Sequence, residues 1–244
     1  MLWPMRWYAR RGLRVLMYHR VSHAQRDALT VTCEQLETQL RWLLAEGFTF
    51  ITAGQLRSAQ RGGPALSPYS VLVTFDDAYV DTLSLAAPIL RQQLVPGLVF
   101  VPSAFINGTS QWDTVPQALM SAAQLQTLAS NGWEIGYHSH AHTNYAQLTT
   151  EQRATDLKAN LTALQTLHPI GAFAYPYGKR PQSTAEKNEL YRAFASLGID
   201  VAFRIGNRIN PLVSPQPYDI NRLGVRGDRD LNFFKRQLWW GRWW

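Results

Sequence analysis

Short β-rich runs that alternate with helical stretches constrain this chain most, because such alternation predicts parallel strands joined by helical crossovers. The strand candidates are residues 14–18, 49–52, 71–75, 98–101, 134–137, 172–174 and 201–203. Between the first two of them, residues 32–46 set Leu36, Leu40, Leu43 and Leu44 on one helical face and stop at Gly47. Residues 83–93, 122–130, 151–167 and 183–197 fill the other gaps as helices. No linker, internal repeat or low-complexity tract interrupts the 244 residues, 46% of which are hydrophobic, so the pattern fits one domain with a sizeable core.

The polar residues that matter sit directly after two of those strands. Y-S-V-L-V-T-F at 69–75 reads as a strand buried on both faces, and Asp76 and Asp77 follow it at once. Acids at the carboxyl end of a buried parallel strand point into the active-site mouth. The run 133–137 ends just before His138, and three of the six histidines, His138, His140 and His142, fall within five positions. His138 and His142 lie four apart, which puts them on one face of a helix; a loop could also bring them together. An Asp-Asp pair after a strand is by itself usually a turn and helix cap, and a spaced histidine pair is usually a surface feature. In combination, Asp77 with His138 and His142 makes a two-nitrogen, one-oxygen set with coordination positions left open, which is a catalytic metal site. Asp76, not tied up as a ligand, is free to take a proton from bound water.

Over residues 16–238 the chain resembles the polysaccharide deacetylases of carbohydrate esterase family 4. T-F-D-D-A at 74–78 is similar to the family's first motif, T-F-D-D-G, and E-I-G-Y-H-S-H-A-H at 134–142 to its second, whose outer histidines bind metal. F-A-Y-P-Y-G at 173–178 is similar to the third, which lines the groove. The resemblance implies a distorted (β/α)7 barrel as a single domain, with Asp76 as general base and Asp77, His138 and His142 as ligands of one divalent metal. Zinc suits two imidazoles and a carboxylate, and iron, cobalt, nickel or manganese could bind the same set. Tyr177 would offer its backbone N–H to the oxyanion, aimed by a rigid Pro-Tyr-Gly corner.

The chain departs from the family pattern in ways that set further expectations. No histidine follows His168, so the late Leu-x-His motif that protonates the leaving amine is missing. L-R-V-L-M-Y-H-R-V at 13–21 resembles the start of the poly-N-acetylglucosamine deacetylase branch, in which an early histidine fills that role. In a closed barrel the first and last strands are neighbours, which makes His19 the expected acid. Ala174 stands where many members place an arginine that orients the base, and Arg222, in D-I-N-R-L-G-V at 219–225, is the expected replacement from a later strand. Ala78 replaces the usual glycine, which implies a negative φ there. His140 is expected to point away from the metal; Trp112, Tyr145 and Tyr175 could stack on sugar rings, although each taken singly is more often a packing residue.

The ends of the chain read differently from its middle. Residues 1–12 form a basic aromatic segment, with Trp3, Trp7 and Tyr8 among Arg6, Arg10 and Arg11; residues 13–238 make the catalytic domain; residues 239–244 are a Trp-rich tail. With a net charge of +7, these ends suit peripheral contact with an anionic membrane, while the alternative is that the tryptophans cover core. No nucleic-acid recognition motif accompanies the charge, so no nucleic-acid partner is expected. The lone Cys33 excludes an internal disulfide. The first residues lack the apolar core and cleavage site of a secretory signal, and no apolar run approaches the ~20 residues of a membrane span. A cytoplasmic protein, peripheral on the inner membrane face, is therefore expected. Its expected activity is removal of an N-acetyl group from an acetamido sugar of a bacterial envelope saccharide or lipid-linked glycan. The alternatives are an O-acetyl esterase or deformylase on the same site, or a member without catalysis that binds saccharide or membrane.

Overall fold

Side chains along each strand alternate between two apolar environments, and this alternation builds the architecture. In β5 (Ser70–Phe75), Val71, Val73 and Phe75 join one buried cluster, shared with the helices, while Leu72 joins a second. That second cluster also takes Val15, Leu98, Phe100, Ala172, Ala174, Val201, Phe203 and Ile220, and it fills the inside of a ring of parallel strands. Gly136 makes room there, because a Cβ at that position would stand 2.6 Å from the Phe100 ring.

The computed structural model describes residues 11–241. Its ring runs β1 (Arg14–Tyr18), β5, β6 (Leu98–Val101), β7 (Glu134–Tyr137), β8 (Ala172–Ala174), β9 (Val201–Ile205) and β10 (Ile220–Gly224), every pair parallel. It closes because β1 pairs with β5 on one side and with β10 on the other, Leu16 facing both Val73 and Leu223. This is a closed seven-stranded barrel in one domain. The short strands β2 (Arg20–Ser22) and β3 (Thr30–Thr32) pair separately. β4 (Thr49–Phe50) is a two-residue stub against the start of β5, so the run at 49–52 is not a ring strand; the seventh is β10, the strand that carries Arg222.

Helices wrap the ring: α1 (Cys33–Ala45), α2 (Ala53–Gln60), α3 (Ala87–Gln92), α4 (Ala122–Ser130), α5 (Thr150–Leu164), α6 (Thr184–Ser196) and α7 (Leu231–Trp240). Four of them begin in the same way. Thr32, Ser121, Thr149 and Thr52 each accept from the backbone of a glutamine three residues on, and that glutamine's side chain returns to the cap. The last of these starts α2, which lay outside the helical stretches expected from periodicity, as did α7. The expected helix at 83–93 begins with a π-helical turn, Thr82–Ala86, before α3.

Residues 1–10 and 242–244 lie outside the described residues, and with them most of the proposed membrane-facing tryptophans. Within α7, Trp239 is buried and packs edge-on against Trp42, while Trp240 is exposed. Among the described residues, no helix is long and apolar enough to cross a membrane.

Candidate active site

Parallel strands deliver their carboxyl ends to one mouth of the ring, and the expected site residues leave the strands there. Asp76 and Asp77 follow β5, His138 follows β7, His19 follows β1, Arg222 lies within β10, and Tyr177 stands in the corner after β8. His142 arrives on the connection from β7 to α5. That connection is a loop, not a helix, and it is wound through left-handed backbone at Ser139 (φ 67°) and His142 (φ 50°).

Asp77, His138 and His142 are buried, and their ligand atoms lie within 4.8 Å of one another. Asp77 Oδ1 is 3.1 Å from His142 Nε2 and 3.3 Å from His138 Nε2. His138 Nδ1 stands 2.8 Å from the Ala174 carbonyl, which can only accept, so the ring's proton sits there and Nε2 presents a lone pair. A lone pair of His138 thus faces the Asp77 carboxylate across a hydrogen-bond distance with His142 Nε2 beside them, an arrangement that a positive charge between the three would complete. A divalent cation supplies it to all three at once, and ligands of a tetrahedral zinc ion with bonds of ~2.1 Å stand ~3.4 Å apart. Burial alone would raise the Asp77 carboxyl, but the two imidazoles set against it, His138 and His142, overcome that and hold it well below the usual carboxylate range.

Asp76 is kept out of that cluster by Arg222. The guanidinium donates from its two terminal nitrogens, 2.6 Å to Oδ1 and 2.7 Å to Oδ2, in a fully buried bidentate pair. Burial pushes Asp76 up, while Arg222, His138 and His19 pull it down, and the net shift is downward. Arg222 also lies over the Phe100 ring at 5.5 Å. The arginine that the third motif lacks at Ala174 is therefore replaced in space from β10. His19 Nε2 is 3.9 Å from Asp76 Oδ2, and the ring borders a cavity of about 230 Å3 that Met17, Leu29, Val225 and Phe233 also line.

Tyr177 adopts φ 57° and its N–H meets no protein acceptor among the described residues. Its ring packs 4.9 Å from His142, and Trp112 stacks on the same imidazole at 3.8 Å. Trp112 thus covers a ligand instead of offering a free face. Tyr145 and Tyr175 are not in the groove at all: both are fully buried, with their hydroxyls donating to Asp156 and to the Tyr218 carbonyl. His140 turns away from the cluster toward Ser103 Oγ, at 2.9 Å.

Ala78 overturns the expectation of a negative φ. It sits at φ 60°, directly after Asp77 at φ 72°. The chain leaves β5 through this turn so that the Ala78 carbonyl can accept from Met120 N at 2.9 Å, and alanine bears the left-handed conformation at a cost of about 1–2 kcal/mol. Residue spacing missed Asp156, Asn160 and Ser103, which hold the histidine loop from behind. The readable signal was a polar stripe, Arg153, Asp156 and Asn160, on the face that α5 buries alongside Leu157 and Leu164.

Residues 64–195, more than half of the chain, match the family profile described as polysaccharide deacetylase. The chain belongs to the polysaccharide deacetylase family. It is 23% identical over 179 residues to YxkH of Bacillus subtilis, named as a polysaccharide deacetylase, covering 72% of this chain and 61% of that protein. It is 32% identical over 82 residues to the poly-beta-1,6-N-acetyl-D-glucosamine N-deacetylase of Escherichia coli K12, covering 33% of this chain and only 12% of that protein. The chain thus spans less than two thirds of either relative. Its fold is that of IcaB from Ammonifex degensii, with a TM-score of 0.75 at 23% identity over 94% of this chain and 97% of that one. Deacetylases of this family are metal-dependent, and the Asp-His-His group here is one that could hold the ion.

Proposed function

We propose that this family member is a metal-dependent N-deacetylase of acetamido sugars, acting on a saccharide or lipid-linked glycan of the bacterial envelope. The observation that carries the reading is the convergence, at one mouth, of three ligand atoms with a separate carboxylate that Arg222 clamps apart from them. Asp77, His138 and His142 would hold the ion, which when bound polarises the acetamide carbonyl and lowers the pKa of water to ~7.

The chain's own groups account for the proton movements. Asp76 takes the proton of the attacking water, and its downward shift keeps it ionised at neutral pH. Arg222 fixes the plane of that carboxylate, leaving its remaining lone pairs toward the mouth. The Tyr177 N–H donates to the oxygen on which charge develops. The water oxygen adds to the acetamide carbon while the carbonyl electron pair moves onto oxygen; when that pair returns the C–N bond breaks, and His19, beside Asp76, gives a proton to the departing amine, so that acetate and a free amino sugar leave. The curated relative from Escherichia coli, named for N-deacetylation of poly-beta-1,6-N-acetyl-D-glucosamine, supports the amide bond as the target. The Trp- and Arg-rich ends support a place on the inner membrane face, and hence a lipid-linked substrate.

The test is mass spectrometry of zinc-loaded protein with N-acetyl, N-formyl and O-acetyl amino sugars, free and lipid-linked. Loss of one acetyl from the N-acetyl substrates, abolished in Asp76→Asn, is expected. Turnover confined to N-formyl or O-acetyl sugars selects the deformylase or esterase instead, and no turnover of any selects a binding protein.

A further inference from the structure

We infer that Asp156 is a positioning residue for the metal centre, the one carboxylate that sets the spacing of His138 and His142. The inference rests on the metal-site reading above. Asp156 lies in the middle of α5, 9% exposed, and both its oxygens are taken by the loop that joins the two histidines. Oδ2 accepts from Ser139 Oγ at 3.0 Å, from Ala141 N at 3.0 Å and from His140 N at 3.1 Å. Oδ1 accepts from His140 N at 3.0 Å and from Tyr145 OH at 2.6 Å.

Every residue between the two ligands therefore bonds to one buried anion. The loop's consecutive N–H groups form a cradle around the carboxylate, which offsets the left-handed backbone at Ser139 and His142. Arg153, on the same face of α5, is engaged elsewhere, with Glu186 and the Tyr145 carbonyl. A second contact point comes from Asn160, one turn further along, which donates to Ser103 Oγ at 2.7 Å; Ser103 in turn meets His140 Nδ1. This explains why a histidine that faces away from the metal sits inside the motif: its ring and its N–H both anchor the loop. An aspartate in mid-helix has no helical reason to be buried there, since its propensity is poor and its desolvation is expensive. What compensates for both is the geometry of the loop it holds.

Asp156→Asn keeps the volume but replaces one acceptor with an NH2, and since both oxygens receive a backbone N–H, either orientation sets donor against donor. The full-length apo variant should bind zinc about 10- to 100-fold more weakly in competition with a chromogenic chelator, with helical circular dichroism unchanged. Its kcat should climb back toward wild type as zinc is raised. Asp76→Asn should instead show wild-type zinc affinity and a low kcat at every zinc concentration. Amide exchange across residues 138–145 of the apo protein should be faster in Asp156→Asn. If that variant fails to fold, Ser139→Ala with Tyr145→Phe removes two of the same bonds and should give the same signs at smaller size. Wild-type zinc affinity and exchange in the variant overturn the inference alone. A wild-type protein that takes up none of zinc, iron, cobalt, nickel or manganese overturns the metalloenzyme reading, and this inference with it.

Discussion

Strand β7 carries a carboxylate at one end and an imidazole just past the other, and the barrel treats them in opposite ways. Glu134, at the base, accepts from Ala53 N at 2.6 Å and Gly54 N at 2.8 Å, capping the first turn of α2. Beside it Arg57 and Arg61 both clasp Asp200. Each of these carboxylates is held with its donors in place. At the mouth, His138, His142 and Asp77 crowd together, and His142 Nδ1 has no partner among the described residues. Five non-glycine residues crowd into positive φ at the mouth, Asp77, Ala78, Ser139, His142 and Tyr177, whereas Leu94 and His168 do so singly at the other end of the strands. Buried charge is common to both ends, so charge alone does not mark a site. Charge held without its complement does.

If that division is right, substitutions at the mouth should remove function and spare stability, and those at the base should do the reverse. The largest effect is expected for Asp77→Asn. Losing a metal ligand worth several kcal/mol should cut deacetylation by about 10³-fold or more, while the urea midpoint measured in chelator stays near wild type. Asp76→Asn should follow, with a loss of about 10²- to 10⁴-fold in kcat. Arg222→Lys keeps the charge but loses the bidentate clamp, and about a tenfold loss in kcat/KM is expected. Because Arg222 opposes the upward push of burial on Asp76, its loss should also move the acidic limb of the kcat/KM profile to higher pH, and an unmoved limb would refute the pairing's role. At the base, Glu134→Ala strands two N–H groups and should lower stability by about 2 kcal/mol in urea melts, with activity per folded molecule unchanged. Ala78→Gly relieves the left-handed alanine and should raise stability by about 1 kcal/mol or less. A base variant that loses turnover, or a mouth variant that collapses in chelator, would dissolve the contrast.

The residues that could be read in advance were those whose meaning is local. Asp76 and Asp77 announce themselves because a fully buried strand runs straight into them, and His138 follows β7 in the same manner. The partnership of Arg222 with Asp76 spans 146 residues, and only the gap at Ala174 hinted that an arginine was owed from elsewhere. β10 escaped the strand count because Ile-Asn-Arg-Leu-Gly puts a guanidinium where an apolar side chain belongs, a local rule broken for the sake of the site. α2 is too short and too polar for periodicity to detect, although Thr52 and Gln55 spell out its capping box. Tyr145 and Tyr175 proved to be packing residues, the commoner of their two readings, which the sequence could not decide because an aromatic ring in a motif looks the same whether it faces a groove or the core. The decisive fact, a buried acceptor for each hydroxyl, lies elsewhere in the chain.

The place of β1 between β5 and β10 has a temporal consequence. A ribosome makes β1 before the other ring strands and β10 after them, so Leu16 waits for every one of them before its partner Leu223 is made. Until then β1 exposes one bare edge, and neither Arg222 nor the wall beside His19 exists. Assembly of the Arg222–Asp76 pair is thus timed to the closing of the ring, after Asp77, His138 and His142 have all been made.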